Sequence, residues 1–335
     1  MNCPLCGCPA EVMAKDYPGY RESSRFDLYG CSGCGSAFAW PMTVDDSIYE
    51  CIYNAIERVP GYNRYYLYCL NIVDEKSPLD FLCGREESYW AVGNALRERR
   101  GKGSSVSVLE IGSGLGYFTY ALNRDGFDAV GIDLSQDAVD QATRRFGPHY
   151  FRSGQDVAAI SGRSRFDVLV MNQLIEHVPD IHRLLEETLA LLAEGGEILV
   201  TTPNRSAFPR STWDSELPPV HLWWLGETSL RYLAERHRLD VRFVDFTDFY
   251  ASHYRQRDPE GPPRPGRSVL DANGRIIAPL DPKESRNPIS LFLDVTGLLA
   301  TARAVRDLLT GRKRWRGGRG PILCAVFTRK AEAAT

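Results

Sequence analysis

The chain has 335 residues, enough for one large domain or two domains of unequal size. Its 43% hydrophobic and 25% charged content is that of an ordinary globular protein and excludes a disordered polyelectrolyte. The formal net charge of −3 argues against a chain whose main partner is a long nucleic acid, because phosphate binding needs a basic excess.

The chain has nine cysteines, and Cys3, Cys6, Cys8, Cys31 and Cys34 crowd into its first 34 residues. No basic region or apolar run precedes them, and no apolar run in the chain is long enough to cross a bilayer. The expectation is a reducing, cytoplasmic setting in which clustered thiols bind metal rather than pair. Cys3-Pro-Leu-Cys6 and Cys31-Ser-Gly-Cys34 are two C-x-x-C knuckles, each followed by glycine. Four thiolates at this spacing suit tetrahedral zinc, with no position left for water, so the ion is expected to be structural. Cys8 is a fifth thiol, and using it in place of Cys6 would break the C-x-x-C spacing. A ribbon of this kind over residues 1–42 can dock a partner, bind RNA or brace a domain. Its balanced charge disfavours nucleic acid.

Residues 43–100 read as helical and rich in aromatics, with Tyr49, Tyr53, Tyr62, Tyr65, Tyr66, Tyr68, Tyr89 and Trp90. They are a candidate cover for a cofactor or, equally, a packed helical layer. Beyond residue 101, short apolar strands alternate with amphipathic helices, the pattern of an α/β fold with a parallel sheet and helices on both faces. Strands are expected at 105–111, 128–132, 149–152, 166–171, 197–201 and 241–246. Helices are expected from about 117, at 136–146, at 181–193 up to Gly195-Gly196, and at 227–237. The run Ile-Leu-Cys-Ala-Val-Phe-Thr at 322–328 reads as a last strand. If it pairs beside the sixth, residues 247–320 are an insertion within a unit spanning 101–335.

The segment Val108-Leu-Glu-Ile-Gly-Ser-Gly-Leu-Gly116 feeds a strand into a glycine turn, where backbone can approach a ligand closely. The spacing is G-x-G-x-G, and Tyr117 stands where a dinucleotide fingerprint would have its last glycine, which disfavours a nicotinamide enzyme. Glu110 puts an acid beside the turn, suited to a cationic ligand. Asp133 ends the next strand about twenty residues on, where an acid can hold ribose hydroxyls.

Leu109–Gly116 followed by Gly131-Ile-Asp-Leu-Ser135 resembles motifs I and II of the class I S-adenosylmethionine-dependent methyltransferases. Phe166–Val178 resembles their fourth-strand motif, and Leu191–Val200 their helix-to-fifth-strand motif. Together the resemblance covers roughly residues 85–246, and four motifs in the right order are far more specific than one. It implies a Rossmann-like fold and S-adenosylmethionine as cofactor. It also implies roles for positions: Glu110, Gly112 and Gly114 at the methionine end, Asp133 at the ribose, Leu134 on the adenine, and Asp156 at the adenine edge with Gln155 as the competing choice. Asn172 and Gln173 would wall the sulfonium. A helix N-cap is the competing reading of Asp156.

Methyl transfer needs alignment, and a hydroxyl acceptor also needs a base. Histidine suits that task near neutral pH. His177 follows the fourth strand. His221 lies in Leu217-Pro-Pro-Val-His-Leu-Trp-Trp224, where Trp213, Trp223 and Trp224 offer an acceptor wall. His253 is a weaker candidate, and His149, His182 and His237 read as surface positions. Arg303–Arg319 carries Arg306, Arg312, Lys313, Arg314 and Arg316, and the apolar run 289–299 precedes it. Together they are a candidate phosphate or anionic membrane contact.

The chain resembles bacterial methyltransferases that join such a ribbon to this catalytic domain in polysaccharide or natural-product pathways. That resemblance implies a small-molecule or glycan acceptor, methylated at a sugar-like hydroxyl. The alternatives are an RNA methyltransferase docking substrate through the ribbon, and a non-catalytic cofactor-binding scaffold. Asn172-Gln-Leu-Ile in place of an Asn/Asp-Pro-Pro-Tyr motif counts against base-amine methylation. The intact glycines and Asp133 count against the scaffold.

Overall fold

The computed structural model describes residues 1–101, 105–152, 162, 164–207, 217–253, 266–278, 305, 309 and 318–331. Its larger sheet has seven strands in the order β10-β11-β8-β7-β4-β5-β6. These are β4 (Ser107–Ile111), β5 (Asp128–Asp133), β6 (Tyr150–Arg152), β7 (Phe166–Asn172), β8 (Leu192–Pro203), β10 (Leu239–Phe243) and β11 (Ile322–Arg329). The first five are mutually parallel, whereas β11 runs antiparallel to both β8 and β10. The last strand thus enters the sheet between two earlier ones, and the chain from 247 onward leaves and returns between sheet neighbours.

Alternation along β4 explains the two cores. Leu109 and Ile111 join one buried layer with helices α7 (Ile181–Ala190) and α8 (Glu227–Arg236). Val108 joins the other, with α3 (Pro78–Cys83), α4 (Glu87–Arg100) and α5 (Tyr117–Arg124). Helix α6 (Gln136–Phe146) starts at Ser135, whose Oγ accepts the Ala138 N–H at 3.2 Å, and stops at Gly147.

Of the two readings of the stretch 43–100, helix α4 follows the packed helical layer, lying against β7, β8 and β11. One expectation changes. The pair Gly195-Gly196 does not end α7, which stops at Ala190. Both glycines fall inside β8, where pairing with β7 jumps from Phe166↔Leu192 to Val168↔Glu197, a bulge that absorbs the extra residues. The tyrosines of the stretch 43–100 accord with the packed-layer reading: Tyr89 is buried, and Tyr62, Tyr65, Tyr66 and Tyr68 are half-buried against the core that α3, α4 and α5 share.

The N-terminal module is a small antiparallel sheet of β1 (Ala10–Pro18), β2 (Arg25–Cys31) and β3 (Ala37–Trp40). A fourth strand, β9 (Trp223–Trp224), comes from beyond β8 and pairs with β3. The ribbon therefore does not stop at residue 42; it is completed by a strand from beyond β8. No helix among the described residues is long and apolar enough to cross a membrane.

Candidate functional site

In an open α/β sheet the ligand crevice lies at the carboxyl ends of the strands where the strand order reverses. Here that point is between β4 and β7, and the loops after β4, β5 and β7 meet there.

The loop after β4 is a tight turn with Gly112, Gly114 and Gly116 all at positive φ. A Cβ on Gly116 would come within 2.6 Å of Ala142 Cβ and Tyr150 Cε1, so this glycine is required by close packing of α6 and β6. Gly112 N–H and Ser113 N–H both donate to Ile132 O, at 2.8 and 3.0 Å, which ties the turn to the end of β5. Asp133 completes the tie. One carboxylate oxygen accepts the Gly114 N–H at 2.8 Å and the other accepts the Ser135 N–H at 2.9 Å. Burial pushes its pKa up, while those backbone donors pull it down. Beside it Leu134 is 78% exposed, an apolar side chain left open next to a buried acid. An acid at a strand end, an open apolar neighbour and a glycine turn fit the ribose, adenine and methionine parts of S-adenosylmethionine.

Glu110 differs from its expected place. It shares the face of β4 with Val108, and its carboxylate sits between β4 and α5, accepting a hydrogen bond from Thr119 Oγ1. Burial pushes its pKa up to about 8 against the opposing pull of Thr119. It fixes the strand to the helix that follows the turn.

After β7 the chain turns sharply. Gln173 has φ 53°, strained for a residue with a side chain. Thr201, on β8, holds this corner. Its Oγ1 donates to Asn172 Oδ1 at 2.6 Å and accepts from Gln173 N–H and Gln173 Nε2, at 3.0 and 3.2 Å. Sequence reasoning missed Thr201, whose role depends on register with β7 rather than on any motif. Leu174 then leans on the glycine turn: a Cβ on Gly112 would meet Leu174 Cδ1 at 2.9 Å. The short 3-10 helix Ile175–His177 follows, so His177 comes three residues after the side chain that leans on the glycine turn.

His177 and His221 come together, with ring centroids 4.7 Å apart. His177 Nδ1 lies 2.7 Å from Val220 O. A carbonyl only accepts, so Nδ1 carries the proton, and in the neutral ring Nε2 is the basic atom. The ligand atoms of Glu176, His177 and His221 all lie within 4.8 Å of one another, with Glu176 and His221 buried. Helix α1 (Asp46–Asn54) spans both halves of the site. Tyr49 Oη lies 3.3 Å from His177 Nδ1 and 3.4 Å from Val220 O. One turn on, about 6 Å along the axis, Tyr53 Oη stands 3.4 Å from where a Gly114 Cβ would be. Burial and the nearby Asp133 charge push the Tyr53 phenol well above its usual pKa, so it stays a neutral donor.

Other expected residues fall elsewhere. Asp156, Gln155 and Trp213 lie outside the described residues, as does the run 289–299. Trp223 and Trp224 are not an acceptor wall, because both are buried in the ribbon contact, and Trp223 Nε1–H donates to Val178 O at 2.9 Å. His253 stacks on Phe249, and its nitrogens face Phe249 O and Gly84 O rather than the histidine pair. His182 and His237, expected at the surface, are half-buried and paired. His182 Nε2 lies 2.7 Å from Leu5 O, and its Nδ1 lies 2.9 Å from His237 Nε2. Of the basic stretch 303–319, only Val305, Leu309, Gly318 and Arg319 are described. Arg319 is a brace, donating to Glu227 Oε1 at 3.1 Å and to Val244 O at 3.2 Å.

At the ribbon the ligand atoms of Cys3, Cys6, Cys31 and Cys34 lie within 4.8 Å of one another. Cys3 Sγ and Cys34 Sγ are 3.8 Å apart, and Cys6 Sγ and Cys31 Sγ 3.4 Å. A zinc–sulfur bond of about 2.3 Å gives a tetrahedron edge of about 3.8 Å, so a group of four thiols at these separations suits a zinc ion. Cys8 stands outside this group, its sulfur against Gly33.

The family model of a methyltransferase domain matches residues 85–242. A ubiquinone biosynthesis O-methyltransferase of Coxiella burnetii is 31% identical over 103 residues, covering 30% of this chain and 44% of that protein. The matched region is therefore less than half the length of that relative. The protein of the same name from Serratia proteamaculans is 24% identical over 185 residues, covering 47% of this chain and 74% of its own. Among solved structures, a SAM-dependent methyltransferase from Thermotoga maritima aligns at 14% identity and a TM-score of 0.44, covering 84% of this chain and 100% of its own. Residues 85–242, just under half of the chain, match the methyltransferase domain, and the glycine turn tied to Asp133 lies within them.

Proposed function

We propose that this protein transfers the methyl group of S-adenosylmethionine to a hydroxyl oxygen of a small molecule. The observation that carries the reading is the contact of Leu174 with the Gly112 turn, because it sets the His177–His221 pair beside the cofactor cradle. In this reading Asp133 holds the ribose hydroxyls, Leu134 packs on the adenine, and Gly112 and Gly114 line the methionine end. Asn172 and Gln173, braced by Thr201, wall the sulfonium. Glu110 acts through Thr119 to fix the turn. Asp156 at the adenine edge remains part of the proposal on the family resemblance alone. Cys3, Cys6, Cys31 and Cys34 hold a structural zinc ion.

Held by Asp133 and the glycine turn, S-adenosylmethionine would supply an electrophilic methyl on a sulfonium, to be taken by the acceptor oxygen with the C–S electron pair left on sulfur. The hydroxyl proton goes to His177 Nε2, the nitrogen left basic by the Nδ1–H bond to Val220 O. His221 and Tyr49 orient that ring.

The names of the matched relatives support an oxygen acceptor and, for those proteins, place it in ubiquinone biosynthesis. A glycan or natural-product hydroxyl is the finer alternative for this chain. Calorimetric titration with S-adenosylmethionine and S-adenosylhomocysteine tests the cofactor assignment. Micromolar binding that Asp133→Ala abolishes supports it, and no binding by folded, zinc-loaded protein refutes it. Radiolabelled methyl transfer to sugar nucleotides, glycans and intermediates of ubiquinone biosynthesis then separates the acceptors.

A further inference from the structure

We propose that the four-cysteine knuckle is a positioning element for the two histidines: metal in the ribbon holds His221 and His177 in their working geometry, while the glycine turn and Asp133 stand independently of it. This rests on the roles given to the histidines above, but its geometric content can be tested apart from them.

The segment 217–225 is held from two sides. From the ribbon, Tyr20 N–H donates to Pro218 O at 2.7 Å and Ala39 N–H donates to Leu222 O at 2.9 Å. Strand β3 pairs with β9 through Ala37↔Trp224 and Phe38↔Trp223, and the Phe38 and Trp223 rings lie 5.6 Å apart. From the catalytic side, Leu222 N–H donates to Glu176 O at 2.9 Å, and His177 Nδ1–H donates to Val220 O. His221 lies between Val220 and Leu222, so each flanking residue is bonded to the turn that carries His177. The ribbon presses this segment onto that turn.

The ribbon is itself fixed at both knuckles. Ser229 Oγ donates to Cys34 O at 3.0 Å, and His182 Nε2–H donates to Leu5 O. Strand β3 begins three residues after Cys34. A module of about forty residues buries too little to hold such strands without a staple, and small four-thiolate modules fold with their metal. Losing the ion therefore frees β3, and with it the ribbon half of the clamp. Helix α1 loosens as well, since Ile48 and Ile52 share a core with Leu28 and Ala39. The ties of Gly112, Ser113 and Gly114 to Ile132 and Asp133 involve no ribbon residue.

The test compares the full chain loaded with zinc, stripped by a chelator, and reloaded, using amide hydrogen exchange and 15N-histidine spectra. Stripping is expected to raise exchange tenfold or more in 217–225 and 46–54, to leave 107–133 protected, and to move His177 out of the Nδ1–H tautomer. Reloading should reverse each change. Phe38→Ala keeps all four thiolates and is expected to loosen 217–225 with zinc still bound. Unchanged exchange in 217–225 and an unchanged His177 tautomer in both the stripped and the Phe38→Ala protein would overturn the proposal. So would a rise spread equally over 107–133, which would make zinc a global stabiliser. Binding of S-adenosylhomocysteine to the loaded protein is measured alongside. Its absence would defeat the functional reading, while the exchange data would still decide this one.

Discussion

His177 and Val220 are joined by one short hydrogen bond, Nδ1–H to the carbonyl oxygen at 2.7 Å, and Val220 immediately precedes His221. That bond sets the tautomer of one histidine and the position of the other. His177→Asn retains a side-chain donor near Val220 O but has no counterpart of Nε2. Methyl transfer should fall by about 10²–10⁴-fold, with affinity for S-adenosylhomocysteine unchanged. Single-turnover transfer and calorimetry check the two halves, and full activity in the variant would remove His177 as the base.

The glycine turn should separate folding from binding. Gly116→Ala forces a Cβ to 2.6 Å from Ala142 and Tyr150 at φ 78°. It should cost about 2 kcal/mol or more of stability, since backbone and packed core must both move. Gly114→Ala, at φ 50° with Tyr53 Oη 3.4 Å away, should cost about 1 kcal/mol and show its main effect in cofactor affinity. Urea denaturation and calorimetry on the two variants distinguish these outcomes.

Glu110 makes stability depend on pH in a definite direction. Its folded pKa of about 8 lies above the ordinary 4.5. Below the ordinary value both folded and unfolded chains hold the proton. As pH rises toward the folded value, only the unfolded chain ionises, so stability falls until both are ionised. The loss is on the order of 5 kcal/mol for a fully buried acid. Glu110→Gln removes that dependence. Its melting temperature should therefore gain on the native protein between about pH 5 and about pH 8.5, and a gap that does not grow with pH would refute the argument.

The His182–His237 pair should respond to acid. His182 uses its Nε2–H on Leu5 O, so its Nδ1 accepts from His237 Nε2–H. Burial, with the His182 charge second, holds the His237 pKa below its ordinary 6.5. A base with a depressed folded pKa gives stability that is present above the ordinary value and lost as pH falls below it. Exchange at the first knuckle should rise on acidification below about pH 6. His182→Ala, which removes the bond to Leu5 O, should raise it at neutral pH by about 1–3 kcal/mol of lost protection.

Local pattern alone determined much of this protein. Strand–glycine–helix chemistry at 108–117, the acid at the end of β5, the apolar run of β7 and the two C-x-x-C knuckles each follow from residues near one another in sequence, because turns, caps and metal knuckles are local physics. Tertiary structure decided what depends on pairing between distant segments. The face of Glu110 was set by the alternation of β4 against α5. Thr201 reached Asn172 and Gln173 only through the register of β8 on β7. Trp223 and Trp224, which read as a loop wall, became the fourth strand of the ribbon because β3 offered them an open edge. His221 met His177 because that same strand pairing pressed its loop down. Such contacts carry no sequence spacing of their own, since register and docking are settled by burying whole faces at once.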